Sequence, residues 1–272
     1  MDLSDFDVFR DFLHETCGIF LGENKQYLVA TRIRRILAEH DLASLTELVS
    51  ALKRNRHTKL RQMVIDAMTT NETFWFRDTY PFDYLKQTLL PELVSQGRGP
   101  LRIWSAACSS GQESFSISMS VEEYRRSAMK GLHREVEIVG TDLSSVVLEA
   151  AGKGEYDHMA VMRGLSRERL AMFFEQKNDD TWRVKADIRR RVSFKSLNLM
   201  DPYIGMGKFD IIFCRNVLIY FNADLKRDIL QRMHAALNPG GLLFLGSSEG
   251  LAGASELFKM INCSPGIVYK AL

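Results

Sequence analysis

The stretch Phe209-Asp-Ile-Ile-Phe-Cys-Arg-Asn-Val-Leu-Ile-Tyr-Phe221 decides the fold of this 272-residue chain. Its apolar residues 211–213 have the run length and composition typical of a strand buried on both faces. Arg215 and Asn216 follow where that strand should end, and Tyr220 comes one turn later. Because ligands of open α/β sheets bind beyond the carboxyl ends of the strands, these residues are candidates for a site. The alternative is a strand end with ordinary solvated polar residues.

The composition is typical of a soluble globular protein of one or two domains, with 46% hydrophobic residues, 26% charged residues and a net charge of +2. A net charge this small gives no reason to expect binding to nucleic acid or to a membrane surface. No apolar run approaches the ~18–20 residues that cross a bilayer, and the acidic start is unlike a secretory signal. The four cysteines form no CxxC pair, which argues against a zinc site or a disulfide framework. We therefore expect a cytoplasmic protein without membrane insertion.

Residues 1–68 predict an all-α domain. Residues 4–62 contain no proline and only two glycines, and apolar residues recur at helical spacing in three segments. Ser4 or Asp5 can cap the first helix, the second runs through residues 28–37, and the third begins at Ser44.

Basic residues cluster in this domain. One predicted helix carries Arg32, Arg34 and Arg35, and five more lysines and arginines lie between residues 53 and 61. Clustered like charge steers oppositely charged partners, so the arginines predict a docking surface for an acidic partner. A solvated helical face is the plainer interpretation. No aromatic residues interleave with the basic ones, so stacking on single-stranded nucleic acid is not indicated.

A linker over residues 69–97 begins with Thr69-Thr-Asn-Glu-Thr-Phe-Trp-Phe-Arg-Asp78. Its three aromatic residues can form the wall of a pocket, while Asn71, Thr73 and Arg77 orient a ligand. The alternative is an aromatic staple that packs the helices onto the next domain. Residues 96–100, Gln-Gly-Arg-Gly-Pro, predict the turn that precedes that domain.

From residue 98 to 272 the pattern predicts an α/β domain. Residues 101–105 read as a strand, a loop of small residues ending in Glu113 leads into a helix, and residues 135–140 read as a second strand. The loop has one glycine and fails the GxGxxG dinucleotide pattern. Asp142 follows the second strand, where an acid typically holds ribose hydroxyls; a simple helix cap is the alternative.

The rest of the chain predicts one interruption of this alternation. Residues 178–185 and 191–195 read as strands of a small antiparallel β insertion, at about 175–195. A helix over 223–237 and a buried strand over 242–246 follow, and residues 267–270 should close the sheet as a hairpin partner.

Three separated motifs then identify a family. The Asn-Pro-Gly-Gly turn at 238–241 resembles the late segment of class I S-adenosylmethionine-dependent methyltransferases. The stretches Thr69-Thr-Asn-Glu-Thr-Phe-Trp-Phe-Arg77, Trp104-Ser-Ala-Ala-Cys-Ser-Ser-Gly-Gln-Glu113 and Phe213-Cys-Arg-Asn-Val-Leu-Ile-Tyr-Phe221 together resemble the chemotaxis receptor methyltransferases, the CheR family. The resemblance implies a Rossmann-like class I sheet with an antiparallel insertion, preceded by the all-α domain. It also implies methyl transfer from S-adenosyl-L-methionine to glutamate side chains of chemoreceptor helices, leaving S-adenosyl-L-homocysteine.

The resemblance also implies the site residues. The family's cofactor contacts fall on Asn71, Thr73, Arg77, Glu113, Asp142, Asn198, Leu199, Arg215 and Asn216. Asp142 should accept from ribose hydroxyls, Glu113 suits the cofactor's ammonium group, and Asn198 suits the adenine edge. A glutamate with a reference pKa of ~4.3 is already ionised at neutral pH, so no catalytic base is required. Arg77 can orient that carboxylate, and the Tyr220 hydroxyl offers a milder contact.

Two departures from the family pattern matter. The loop carries Cys108 and Gln112-Glu113-Ser114 where members often have Ala and Glu-Glu-Pro, but Glu113 is retained. The turn at 175–181 lacks glycine and looks shorter than in members that tether to a receptor's C-terminal pentapeptide, so we expect no such tether.

The arginines 32, 34 and 35 resemble the surface that meets acidic receptor helices. Alternatives are a class I methyltransferase with another substrate and a cofactor-binding regulator without turnover; we expect a monomer that does not bind nucleic acid.

Overall fold

The computed structural model of the protein describes residues 3–54, 59–96, 99–127 and 134–272. Its helices are α1 (Leu3–Cys17), α2 (Gln26–Glu39), α3 (Leu45–Arg54), α4 (Lys59–Met68), α5 (Tyr80–Tyr84), α6 (Leu90–Gln96), α7 (Gln112–Ser127), α8 (Ser145–Lys153), α9 (His158–Met162), α10 (Arg167–Phe173), α11 (Ala186–Arg189) and α12 (Ala223–Ala236). Its strands are β1 (Leu101–Ala106), β2 (Val136–Asp142), β3 (Glu155–Asp157), β4 (Phe174–Gln176), β5 (Thr181–Val184), β6 (Val192–Ser196), β7 (Phe209–Cys214), β8 (Leu237–Leu245), β9 (Phe258–Cys263) and β10 (Gly266–Ala271).

Helices α1–α4 enclose a hydrophobic core of their own. Phe9, Leu13, Val29, Ile33 and Leu48 are fully buried in it, at the helical spacing that the sequence predicts. The three predicted helices are confirmed, with one correction at the start. Helix α1 already includes Leu3, so Ser4 and Asp5 lie in its first turn and do not cap it.

A seven-stranded sheet forms the second domain, in the order β6-β2-β1-β7-β8-β10-β9. The first five of these strands run parallel, and β10 is antiparallel to both of its neighbours. Alternate residues of one strand face opposite sides: Ile211 and Phe213 join one buried cluster, and Ile212 and Cys214 join another. The sheet is therefore covered on both faces, and the carboxyl ends of β1, β2, β7 and β8 meet at one edge.

The insertion differs from the prediction. Residues 192–196 form β6, which pairs in parallel with β2 and is the edge strand of the main sheet. The separate antiparallel sheet consists of β3, β5 and β4, so it begins at Glu155 and ends at Val184. The strand pattern of residues 192–196 does not indicate which strand they pair with. Packing favours β2, because the ring of Phe194 covers Gly140 of that strand, and a Cβ on Gly140 would lie 2.7 Å from the ring.

The far edge of the sheet also needs a correction. Strand β10 forms the predicted hairpin, but it lies between β8 and β9, and β9 is the outermost strand.

Residues 97 and 98 of the predicted 96–100 turn lie outside the described residues, as does Arg56 of the basic cluster. In the ranges that the structure describes, no helix is both long and apolar enough to span a lipid bilayer.

Candidate active site

One solvent-accessible cavity lies at the carboxyl edge of the sheet, with about 1020 Å³ of space that includes open solvent. Its walls come from the ends of β1, β2 and β7, the linker and the helical domain. The cavity brings together every cofactor residue that the sequence predicts, together with Tyr220: Asn71, Thr73, Arg77, Glu113, Asp142, Asn198, Leu199, Arg215 and Asn216.

Asp142 ends β2 and is held by backbone N–H groups. The amide of Ser109 donates to its Oδ2 at 2.8 Å, and the amide of Ser144 donates to its Oδ1 at 3.0 Å. Ser109 has a left-handed backbone, with φ at 51°, in the loop between β1 and α7. Burial raises the pKa of Asp142 above its ordinary value, although these amides oppose the shift. Each carboxylate oxygen retains a lone pair for a ligand.

Glu113 is the second carboxylate of the cavity, in the first turn of α7. Its Oε1 accepts from the Ser105 hydroxyl at 2.8 Å, and its Oε2 accepts from Nη1 of Arg215 at 3.0 Å. The other guanidinium nitrogen of Arg215 donates to Asp78 at 2.5 Å and to the Arg77 carbonyl at 2.8 Å. Only 1% of the Arg215 side chain is exposed, so this arginine fixes Glu113 and the linker at Arg77 and Asp78 from within the protein.

Glu249 is a residue that the sequence analysis did not assign. Its Oε2 accepts from the amides of Asn216 and Gly246, both at 2.7 Å, and so joins the ends of β7 and β8. A Cβ on Gly246 would lie 2.7 Å from both the Asn216 Nδ2 and the Glu249 carboxylate, so only glycine fits there. The signal was present in the polar residues that follow β8, but their partners could not be read from the sequence.

The aromatic residues of the linker do not form a pocket wall, so that prediction was wrong. Trp75 and Phe76 are buried in the core of the second domain, and the Trp75 indole donates to the Ala160 carbonyl at 3.0 Å. They are buried, as the alternative described, and they anchor the linker in the core of the second domain. The polar residues on either side of the aromatic run, Asn71, Thr73 and Arg77, line the cavity, and the backbone carbonyl of Asn71 accepts from the Ser109 hydroxyl at 2.8 Å. Arg77 lies over the ring of Phe74, 5.4 Å from its centroid.

The helical domain closes the opposite wall. Asn198 donates from Nδ2 to the Thr16 carbonyl of α1 at 2.8 Å, and its Oδ1 accepts from the Met200 amide at 3.1 Å. Both ends of this amide therefore contact the protein, which leaves one N–H and one lone pair for an adenine edge. The Tyr220 carbonyl accepts from the Phe20 amide at 2.8 Å, which ties the turn after β7 to the segment after α1.

The three docking arginines have different environments. Arg32 donates to the Met68 carbonyl at 2.9 Å and the Thr69 carbonyl at 3.2 Å. It therefore satisfies carbonyls at the C-terminus of α4, and these hydrogen bonds to neutral acceptors leave its positive charge in place. Arg35 pairs with Glu39, and Arg34 is exposed on the same helix. The docking role of these three arginines stays a prediction.

The polar groups of the cavity fit S-adenosyl-L-methionine. Asp142 and Glu113 offer carboxylate oxygens for hydroxyl and ammonium donors. The Oδ1 of Asn216 is buried, and among the described residues it has no hydrogen-bond donor, so it can accept from a bound group. Asn216 also has a left-handed backbone, with φ at 60°, a conformation that is rare outside glycine and is common at binding sites.

Comparisons with known proteins point to one family. The family model for the CheR methyltransferase SAM-binding domain matches residues 71–267, and the model for the CheR all-alpha domain matches residues 4–69. The chain is 55% identical to chemotaxis protein methyltransferase 1 of Pseudomonas aeruginosa, over 98% of both chains. It is 53% identical to chemotaxis protein methyltransferase Cher2 of Pseudomonas putida, again over 98% of both. Identity to chemotaxis protein methyltransferase 1 of Vibrio cholerae is 48%, over 98% of this chain and 96% of that one.

The fold and the site thus define a class I methyltransferase whose cofactor is S-adenosyl-L-methionine. The chain belongs to the CheR family of chemotaxis protein methyltransferases, as the three motifs predicted.

Proposed function

We propose that this protein transfers the methyl group of S-adenosyl-L-methionine to glutamate side chains on the cytoplasmic helices of chemoreceptors, forming γ-glutamyl methyl esters. The observation that carries the proposal is the chemistry of the cavity walls. No histidine or lysine of the described residues lines the cavity. Burial raises the pKa of Cys17 to about 11 and that of Cys108 well above its ordinary value. The wall carboxylates of Asp142 and Glu113 already accept from backbone amides and from Arg215, so the cavity favours a substrate that arrives already nucleophilic, as a carboxylate does.

The side chains of the cavity divide the remaining work. When bound, S-adenosyl-L-methionine supplies a methyl group on a positively charged sulfur. Asp142 accepts from the ribose hydroxyls, and Glu113, held by Arg215, accepts from the ammonium group. Arg77 orients the incoming carboxylate, and the Tyr220 hydroxyl gives a weaker contact that does not overstabilise the ground state. Steady-state kinetics of Arg77→Ala and Tyr220→Phe test these roles, which predict a larger loss for the arginine variant; equal activity of both variants and the parent would contradict them.

The partner that fits the helical domain is an acidic receptor helix in the cytoplasm. Arg34 and Arg35 are exposed on α2, and with the partly buried Arg32 they outweigh the negative charge of Glu39, the ion-pair partner of Arg35, which favours association with such a helix. The double variant Arg34→Glu/Arg35→Glu should raise the KM for receptor and leave cofactor affinity unchanged. Lys153→Glu, an exposed cation on α8, is the control that should change neither. An unaltered KM in the double variant would contradict this docking surface.

We expect a monomer with no affinity for nucleic acid, which sedimentation and a DNA-binding assay would test.

The turn between β4 and β5 supports action without a pentapeptide tether. It spans only residues 177–180, and the Asn178 side chain closes it by accepting from the amides of Asp180 at 3.1 Å and Thr181 at 2.8 Å. Calorimetry with the receptor C-terminal pentapeptide should therefore show no tight binding. Detection of a tight complex would refute this part of the proposal.

The decisive experiment identifies the chemical bond. The protein is incubated with methyl-labelled cofactor and receptor-bearing membranes, and the labelled receptor is then treated with alkali. A glutamyl methyl ester releases labelled methanol, whereas an N-methyl product keeps its label. Stable label would favour a methyltransferase with another substrate, and absence of label despite measurable cofactor binding would favour a regulator without turnover.

A further inference from the structure

The turn between β2 and α8 carries Asp142, and the helical domain holds it from outside. Asp142 itself is fixed at its carboxylate by the amides of Ser109 and Ser144. The next residue, Leu143, packs its side chain against the hydrophobic core of the helical domain. The position of this turn therefore depends on a domain that contributes no residue to the sheet.

Two residues of α4 complete this attachment, one turn apart on the same face. The Asp66 carboxylate accepts from both the amide and the hydroxyl of Ser145, each at 3.0 Å. Gln62 donates to the Leu143 carbonyl at 3.2 Å and to Asp66 at 3.0 Å. Asp66 and Gln62 thus hold the turn at two points, Ser145 and Leu143.

Asp66 occupies the role of a helix cap supplied by another domain. Ser144 stands at the N-cap position of α8 but makes no capping hydrogen bond through its side chain. Its hydroxyl is buried and has no partner within the described ranges. A carboxylate at a helix N-terminus satisfies unpaired amides and interacts favourably with the helix dipole. Asp66 provides both effects for α8, and it fixes the first residue of that helix relative to Asp142.

We propose that Asp66 and Gln62 are positioning residues for the cofactor, which orient Asp142 through the turn at 142–145 without touching the cofactor themselves. The inference rests on the proposed role of Asp142 toward the ribose. A carboxylate must be held within a few tenths of an ångström to accept from two adjacent hydroxyls, and loss of its support weakens binding at a distance. The helical domain is therefore part of the cofactor site as well as a docking domain.

Calorimetric titration of the full chain with S-adenosyl-L-homocysteine tests this role. Asp66→Ala should raise the Kd about tenfold, in line with the loss of a helix cap and the shift of the turn. Asp66→Asn keeps the shape and one acceptor oxygen, so it should raise the Kd only about threefold. If the negative charge alone mattered, the two variants would behave alike. Glu149→Ala, an exposed change on α8, is the control that should leave the Kd unchanged.

Kinetics and a double-mutant cycle separate positioning from a general loss of structure. The Asp66 variants should raise the KM for S-adenosyl-L-methionine while kcat and the KM for receptor stay within about twofold of the parent. Thermal unfolding followed by circular dichroism confirms that each variant is folded, with Asp66→Asn as the milder change. In the cycle with Asp142→Asn, the double variant should bind no more weakly than Asp142→Asn alone, because Asp66 acts through Asp142.

Three results would overturn the inference. An unchanged Kd in folded Asp66→Ala shows that α4 does not position the site. Fully multiplicative effects of Asp66→Ala and Asp142→Asn show that Asp66 acts elsewhere. An unchanged Kd in Asp142→Asn removes the role of Asp142, and with it this inference, whereas methyl transfer to receptor glutamates is tested separately by the alkali-labile label.

Discussion

The cavity has two anionic ends, and they are built in different ways. Asp142, at the end of β2, is held by backbone amides and supported from α4. Glu113, beside the end of β7, is held by side chains, chiefly by Arg215. The first end depends on how two domains pack, and the second depends on one buried arginine. A carboxylate that amides hold should tolerate single side-chain changes around it better than one that an ion pair holds.

The largest effect should come from Arg215→Ala. This change leaves Glu113 and Asp78 without their cationic partner in a buried setting, which costs about 3–5 kcal/mol of unfolding free energy. Cofactor affinity should fall more than about 100-fold, because Glu113 loses its position. Denaturant unfolding and calorimetry measure the two effects. Lys153→Ala, which breaks an exposed ion pair, is the control that should alter neither. A fully stable Arg215→Ala variant would contradict the contrast between the two ends.

A smaller effect is expected for Asp142→Asn, about 10–100-fold in cofactor Kd. The amide keeps one acceptor oxygen, but its NH₂ group faces a backbone N–H and cannot accept from a ribose hydroxyl. The surrounding backbone stays in place, so the variant should remain folded. Calorimetry with S-adenosyl-L-homocysteine measures the loss. A Kd within twofold of the parent value would show that this end does not bind the cofactor.

The pH dependence of cofactor affinity should also report on Asp142, with a smaller effect than the Asp142→Asn substitution. Burial raises the pKa of Asp142, so its carboxylate takes up a proton at a higher pH than an ordinary aspartate. Cofactor affinity should then fall as the pH drops through that raised value, approaching the loss in Asp142→Asn, whose own affinity should be flat in this range. The stability of the chain without cofactor should depend on pH in the opposite direction. The folded state binds this proton more tightly than the unfolded state, so the contribution of Asp142 to stability increases as the pH falls. Parallel loss of affinity in the parent and the variant would contradict the assignment.

The smallest effect is expected for Ser105→Ala, which removes one neutral donor from Glu113 and leaves Arg215 in place. Loss of about 1 kcal/mol corresponds to a fivefold weaker cofactor Kd. Ser120→Ala removes a hydroxyl that bonds the Ser116 carbonyl within α7 and is the matched control. A loss for Ser105→Ala as large as that for Arg215→Ala would show that the arginine does not dominate this end.

Local chemistry made most of the fold and part of the site predictable. Parallel strands, helical spacing and polar residues at strand ends, such as Asp142 and Arg215, can be read from neighbouring residues, whereas Asn198 and Leu199 came only from the resemblance to the CheR family; all four residues line one cavity. The partners of those residues could not be predicted. Glu249 contacts Asn216 across 33 positions of sequence, and Asp66 contacts Ser145 across 79.

Two errors have the same origin. The linker aromatics and the segment 192–196 were each assigned from a pattern that fits two destinations: a pocket wall or a core for Trp75 and Phe76, and the insertion or the main sheet for β6. Burial against residues far away in sequence selected one destination in each case. The contact of Arg32 with the helix-end carbonyls of α4 could likewise not be predicted from the sequence.

By itself the sequence determined the family, the order of helices and strands, and the residue types that suit the cofactor, because those depend on spacing and on chemistry within short stretches. Only the tertiary structure decided which side chains meet. It shows that Arg215 pairs with Glu113, that backbone amides donate to Asp142, and that α4 of the helical domain holds the turn that carries Asp142. The physical reason is that hydrogen bonds and burial act over a few ångströms in space, whatever the distance along the chain.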